Sequence, residues 1–227
     1  MLLQGLSGAM RMRCMLAALA MLLACGCASA ARQGEDETRK LALTRTQSAN
    51  ADERLGAFAV LAEVGRQEDL PLIQSHLFDE DDRVRGTAEA AIWAIWSRSG
   101  DAAADRLFER GVEQMREGHL KMAVDTFSRV IIMRPGFTEA WNKRATVYFL
   151  LGEDELSLKD CDEVLKRNPQ HFGVLAGYGQ IYLRKGELQR ALDHFEQALA
   201  INPNMAGVQA SIDALREALI KHGRRYI

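Results

Sequence analysis

Residues 138–171 read TEAWNKRATVYFLLGEDELSLKDCDEVLKRNPQH, and this stretch decides the fold. Trp141, Ala145 and Tyr148 follow one another at intervals of four and three residues, the spacing that places side chains on one helix face. Ser157 and Cys161 repeat that spacing in the second half. Gly152 stands between the halves, where a tight bend needs a residue free of Cβ, and Pro169 ends the second helix. The punctuation recurs every 34 residues on both sides: Gly118, Gly152 and Gly186; Pro135, Pro169 and Pro203; Ala123, Ser157 and Ala191, with Phe127, Cys161 and Phe195 four residues further on.

That interval, with the pattern W-x-x-small-small-x-x-Y, then A-x-x-x-F, then P, resembles the tetratricopeptide repeat (TPR). The resemblance implies an all-α, right-handed solenoid of three helix pairs at 104–137, 138–171 and 172–205, closed by an amphipathic capping helix at 206–222. The first helices of the pairs are expected at about 102–117, 138–151 and 172–185, the second at about 120–133, 156–166 and 188–201. Gly111, Ala145 and Gly179 let each first helix approach its partner. Cys161 takes the place of a large apolar side chain and reads as a buried thiol acting as a small hydrophobe.

In repeats of this kind the first helices line a concave groove. Position by position, the resemblance assigns groove contacts to Asp105, Phe108, Val112, Met115 and Arg116, then Glu139, Asn142, Thr146, Phe149 and Leu150, then Gly173, Ala176, Gln180, Leu183 and Arg184. Some members clamp a peptide carboxylate with Lys and Asn in the first repeat; here Phe108 and Val112 hold those positions. The groove therefore suits an apolar peptide segment or a partner helix. Arg110 and Arg144 stand where leucine is common, with Asp125, Asp160 and Asp162 as expected partners, and Tyr178 takes the third place. His171, at the junction of the second and third repeats, is expected in solvent.

The first half divides by composition. Arg11 and Arg13 precede an apolar run from Met15 to Ala24, and small residues follow, which describes a signal peptide over 1–30. Two processing outcomes fit: Leu22-Leu23-Ala24-Cys25-Gly26 resembles a lipoprotein signal with Cys25 lipidated, and Ala28-Ser29-Ala30 fits ordinary cleavage before Ala31. An exported product faces the periplasm, with the outer membrane as the default for a lipid-carrying form. Residues 31–50 mix charge with Gly, Ser, Thr and Asn and read as a flexible tether. Residues 51–98 read as an N-terminal helical cap, three helices ending near Ser97, the last resembling a HEAT repeat through Asp81, Asp82, Val84, Arg85 and Ala88.

A net charge of -2, with no basic run among aromatics, argues against nucleic-acid partners. The five histidines form no H-E-x-x-H or cysteine–histidine pattern, and no nucleotide-binding glycine loop occurs, so neither catalytic residues, a metal nor a cofactor is expected. The segments IWAIWSRSG, RGVEQM, EAWNKRAT and HFGVLAGYG resemble a group of proteobacterial repeat proteins across residues 92–203. The expected activity is noncatalytic binding of an unidentified protein or peptide in the bacterial envelope, with a structural or assembly accessory as the alternative.

Overall fold

A computed structural model describes residues 32–223, with side chains to 221. The signal segment with Cys25 and the tail Arg224-Arg225-Tyr226 lie outside the described residues. Among those described, every regular element is a helix. Residues 32–45 form α1. Then come α2 (Ala51–Val64), a 3-10 turn (Gln67–Asp69), α3 (Leu70–Ser75), a second 3-10 turn (His76–Phe78) and α4 (Asp82–Trp96). The antiparallel pairs follow: α5 (Ala102–Arg116) with α6 (Leu120–Met133), α7 (Thr138–Leu151) with α8 (Asp154–Arg167), and α9 (Phe172–Arg184) with α10 (Leu188–Ile201). The last helix, α11 (Ala206–Gly223), packs on α10.

Within each pair the bend is made by Gly118, Gly152 or Gly186, with φ of 79°, 80° and 74°. An L side chain is strained there, so the recurring glycines are a conformational requirement. A different constraint acts at Gly111 and Gly179. A Cβ on Gly111 would lie 2.7 Å from the Phe127 ring, and one on Gly179 would lie 2.5 Å from the Phe195 ring. The second repeat uses the opposite pairing, Ala145 on the first helix and Cys161 on the second, with the Ser157 hydroxyl donating to the Ala145 carbonyl at 2.8 Å. Volume lost on one helix is recovered on the other. The Cys161 thiol is buried and its pKa is pushed up to about 12, chiefly by that burial, as expected for a small hydrophobe.

Two expectations for the first half need correction. Residues 32–50 of the expected tether are not free, because α1 buries Ala42 against α2–α4 and the Arg39 guanidinium grips Asp69 at 2.6 and 2.7 Å. The buried face is narrow and its anchor is an ion pair, so no hydrophobic period betrays it. Nor do residues 51–98 merely cover the near end of the stack. Trp93 lies against Gly173, where a Cβ would come within 2.5 Å of the indole. Trp96 stacks on His171 with ring centroids 4.1 Å apart. Arg85 Nε donates to Asn204 Oδ1 at 2.8 Å, and Asn204 Nδ2 donates to the Leu77 carbonyl at 2.8 Å. The N-terminal unit thus leans along the repeats and is fastened to the third. Phe172 belongs to its hydrophobic core, joined at the margin by Ile201 and Met205.

Candidate functional site

The first helices of the second and third repeats face a depression of about 170 Å³. Asn142, Thr146 and Phe149 supply one wall from α7; Gly173, Gly177 and Gln180 supply the other from α9. Ala145, Cys161, Val174 and Ile181 form an apolar lining. Thr146 and Gln180 are exposed, while Asn142 is buried, its amide donating to Glu139 Oε1 at 2.9 Å. Arg184 crosses from α9 onto the Phe149 ring at 3.8 Å, donates to the Phe149 carbonyl at 2.8 Å, and pairs with Asp154. This clasp holds one end of the depression.

The structure does not bring all the expected groove residues together. Phe108 is only 4% exposed and packs between Phe127 and Phe137, with ring centroids 5.7 and 4.9 Å away, so its side chain belongs to the first repeat's core. Val112 and Met115 are half-buried against that core, and Arg116 is exposed and paired with Glu113. In the second repeat Leu150 is exposed. Leu183 is exposed beside α11 in a shallow hollow of its own. Glu139 is fully buried.

Glu139 is held by a polar network that a repeat pattern does not show. Its Oε2 lies 3.1 Å from His171 Nε2, and its Oε1 takes Lys143 Nζ at 3.1 Å besides the Asn142 amide. The Val174 N–H donates to His171 Nδ1 at 3.2 Å, which leaves the ring proton on Nε2 for Glu139. Burial alone would raise the Glu139 carboxyl pKa; the hydrogen bond from His171, the Lys143 charge and the Asn142 amide outweigh it and hold it below the ordinary range. His171, expected in solvent, is 0% exposed, because Trp96 covers its face. Lys143 in turn lies 5.5 Å from the centre of the Trp93 ring.

The two unusual arginines have different surroundings. Arg144 makes a two-pronged bond to Asp160 at 2.7 and 2.8 Å and donates to Ser128 Oγ at 2.9 Å, joining α6, α7 and α8. Its guanidinium also sits 5.0 Å from the centre of Trp141. Arg110 is exposed and makes no bond to Asp125, so it is not an interior feature. Tyr178 donates its hydroxyl to Asp162. Among the described residues there is no cluster of three or more His, Cys, Asp or Glu side chains that could hold a metal, and no helix is long and apolar enough to cross a membrane.

Residues 137–204 match the tetratricopeptide repeat family model. The match spans the second and third helix pairs. A TPR repeat-containing protein of Rhizobium etli is 32% identical over 124 residues, covering 55% of this chain and 61% of that protein. Mouse FK506-binding protein-like is 28% identical over 119 residues, covering 49% of this chain and 34% of its own length. This chain therefore spans less than two thirds of either relative. Among solved structures, the first TPR of Spaghetti (RPAP3), bound to an HSP90 peptide, superposes with a TM-score of 0.50 at 21% identity, covering 52% of this chain and 93% of that one. The Sgt2 TPR domain from Aspergillus fumigatus gives 0.52 at 15% identity, covering 55% and 83%. At such identities the likeness concerns the fold.

Proposed function

We propose that this chain is a noncatalytic scaffold of the bacterial cell envelope that holds a segment of another protein between its second and third repeats. The observation that carries the reading is the depression between α7 and α9, apolar inside and rimmed by Thr146 and Gln180. An apolar side chain entering there is removed from water, while the two rim side chains can hydrogen-bond the backbone that brings it. The RPAP3 domain of similar fold was solved with a bound peptide, which supports peptide binding as a use of this fold. Placement in the envelope is supported by the sequence alone: Arg11 and Arg13, the apolar run after them, and Cys25 in its lipoprotein-like setting.

The binding test is a substitution of Thr146, Phe149 and Gln180 together by alanine, followed by crosslinking in intact cells. The reading expects at least one crosslinked partner to disappear; an unchanged set of partners removes it. The placement test is the mass of the mature N-terminus. A lipid-bearing Cys25 or a start at Ala31 supports export, and a chain retaining residues 1–24 contradicts it.

A second reading, a structural or assembly accessory, is favoured by the outer face of α6, where Ile132 is 78% and Met122 55% exposed. Contacts through that face would survive the triple substitution and be lost on Ile132→Asp.

A further inference from the structure

A cleft of about 850 Å³ opens between the N-terminal unit and the two turns that join the repeats, and it shares no lining residue with the depression between α7 and α9. Its walls carry three arginines, Arg98, Arg134 and Arg167. The single acidic side chain in them is Glu139, already buried and matched by His171 and Lys143. Arg98 is the most informative of the three. Its guanidinium donates to the carbonyls of Ala62 and Gly65, the latter at 2.8 Å, and no carboxylate among the described residues lies within ion-pair distance. Burial pushes its pKa down. Glu63 and Asp105, beyond ion-pair distance, offset that burial only in part, so an anion bound beside the guanidinium would stabilise it further.

Two other features point the same way. Helix α7 has Phe137 at its N-cap position, which offers no side-chain cap, and Phe137, Thr138 and Glu139 all line the cleft. The N-terminus of a 14-residue helix is thus presented at its wall without a side-chain cap, its first-turn Glu139 being engaged by His171 and Lys143. Trp96, another wall residue, has its indole N–H buried without an acceptor. Leu70, Pro71 and Met133 make part of the lining apolar.

We propose that this cleft is a second binding site and takes an acidic segment of a protein chain, with carboxylates toward the arginines and an apolar side chain against Leu70 and Pro71. A lone small anion would satisfy one arginine and leave both the remaining charge and the apolar wall unused. A cleft of this size falls within the range of roughly 300–1,000 Å³ that encloses ligands of many atoms. Arg134 is exposed, 3.9 Å from Asp101 and donating to the Ser99 carbonyl at 3.2 Å, while Arg167 donates to Glu163 on its own helix at 2.7 Å and lies 5.0 Å from the centre of the Trp141 ring. An incoming carboxylate competes with these contacts for both guanidiniums.

The test is fluorescence anisotropy of the full chain with a dye-labelled peptide of alternating glutamate and leucine at low salt. Saturable binding is expected, weakening as salt rises. Arg134→Glu with Arg167→Glu should weaken it at least about tenfold, and the neutral pair Arg134→Gln with Arg167→Gln about threefold or more, as for charge pairs at an interface. The neutral pair decides the matter if charge reversal disturbs folding, as judged by circular dichroism. Substituting Phe149 and Gln180 by alanine should change the affinity less than about twofold, because sites without shared partners act independently. The proposal is overturned if the peptide does not bind or both arginine pairs leave its affinity unchanged. It is equally overturned if a control peptide of the same length, alternating lysine and leucine, binds as well, if inorganic phosphate displaces the acidic peptide at matched charge, or if the Phe149 and Gln180 substitutions abolish binding.

Discussion

At the scale of single residues, the repeats show one packing rule solved in two ways. The first and third place glycine opposite phenylalanine, Gly111 with Phe127 and Gly179 with Phe195. The second places Ala145 opposite Cys161. Adding a methyl to Gly179 forces it into a ring 2.5 Å away, so Gly179→Ala should cost about 1–3 kcal/mol in urea unfolding. Combining it with Phe195→Cys should cost less than the sum of the two single changes, because the pair then copies the second repeat; strict additivity would show that the two positions do not share a volume. These small residues were legible as a pattern of 34 in the sequence. The burial of Glu139 and His171 was not, because a charged residue at a groove position looks the same whether it meets solvent or a histidine 32 residues away.

Acid-base balance also belongs at this scale. Asp79 is half-buried, and that desolvation alone would raise its pKa, but the Arg54 guanidinium, the Asp81 backbone N–H and His76 together bring it down from 3.8 to about 2. A carboxylate whose folded pKa is depressed stabilises the fold above its unfolded pKa, and that contribution fades as pH falls toward the folded value. The melting temperature should therefore drop between about pH 4 and pH 2, and Asp79→Asn should flatten the drop while lowering stability at neutral pH. An unchanged slope in the variant would exclude Asp79 as a contributor.

At the scale of elements, the N-terminal unit is the part least visible beforehand. Its third helix was readable from Val84, Ala88, Ile92 and Trp96, all of which are buried. Its docking was not, since Arg85 and Asn204 meet across 119 residues of sequence and neither belongs to a repeating pattern. Gly173 stands at a groove position of the repeat pattern, and the structure supplies the reason for a glycine there in the indole of Trp93. Gly173→Val should loosen the unit from the repeats. Amide exchange is expected to quicken in α4 and change little in α10 and α11. Equal quickening throughout would mean that the chain unfolds as one body and that this contact is not a boundary within it.

At the scale of the whole molecule, two surfaces of different chemistry are set on one rigid frame. The depression between α7 and α9 is apolar inside, and the cleft against the N-terminal unit is cationic. The repeat pattern made the first foreseeable, although it also placed Phe108 there, which the core claims instead. The second required the three-dimensional arrangement, because Arg98, Arg134 and Arg167 lie at or just past the C-terminal ends of three separate helices, α4, α6 and α8. The measurement that bears most directly on the central claim is site-specific photo-crosslinking in intact cells, with the reactive residue at Gln180 in the depression or at Ile132 on the outer face of α6. A partner segment held between the repeats predicts a crosslinked species from Gln180, absent from Ile132 and abolished by Phe149→Ala. Equal crosslinking from both positions, or a Gln180 product indifferent to Phe149, would contradict it.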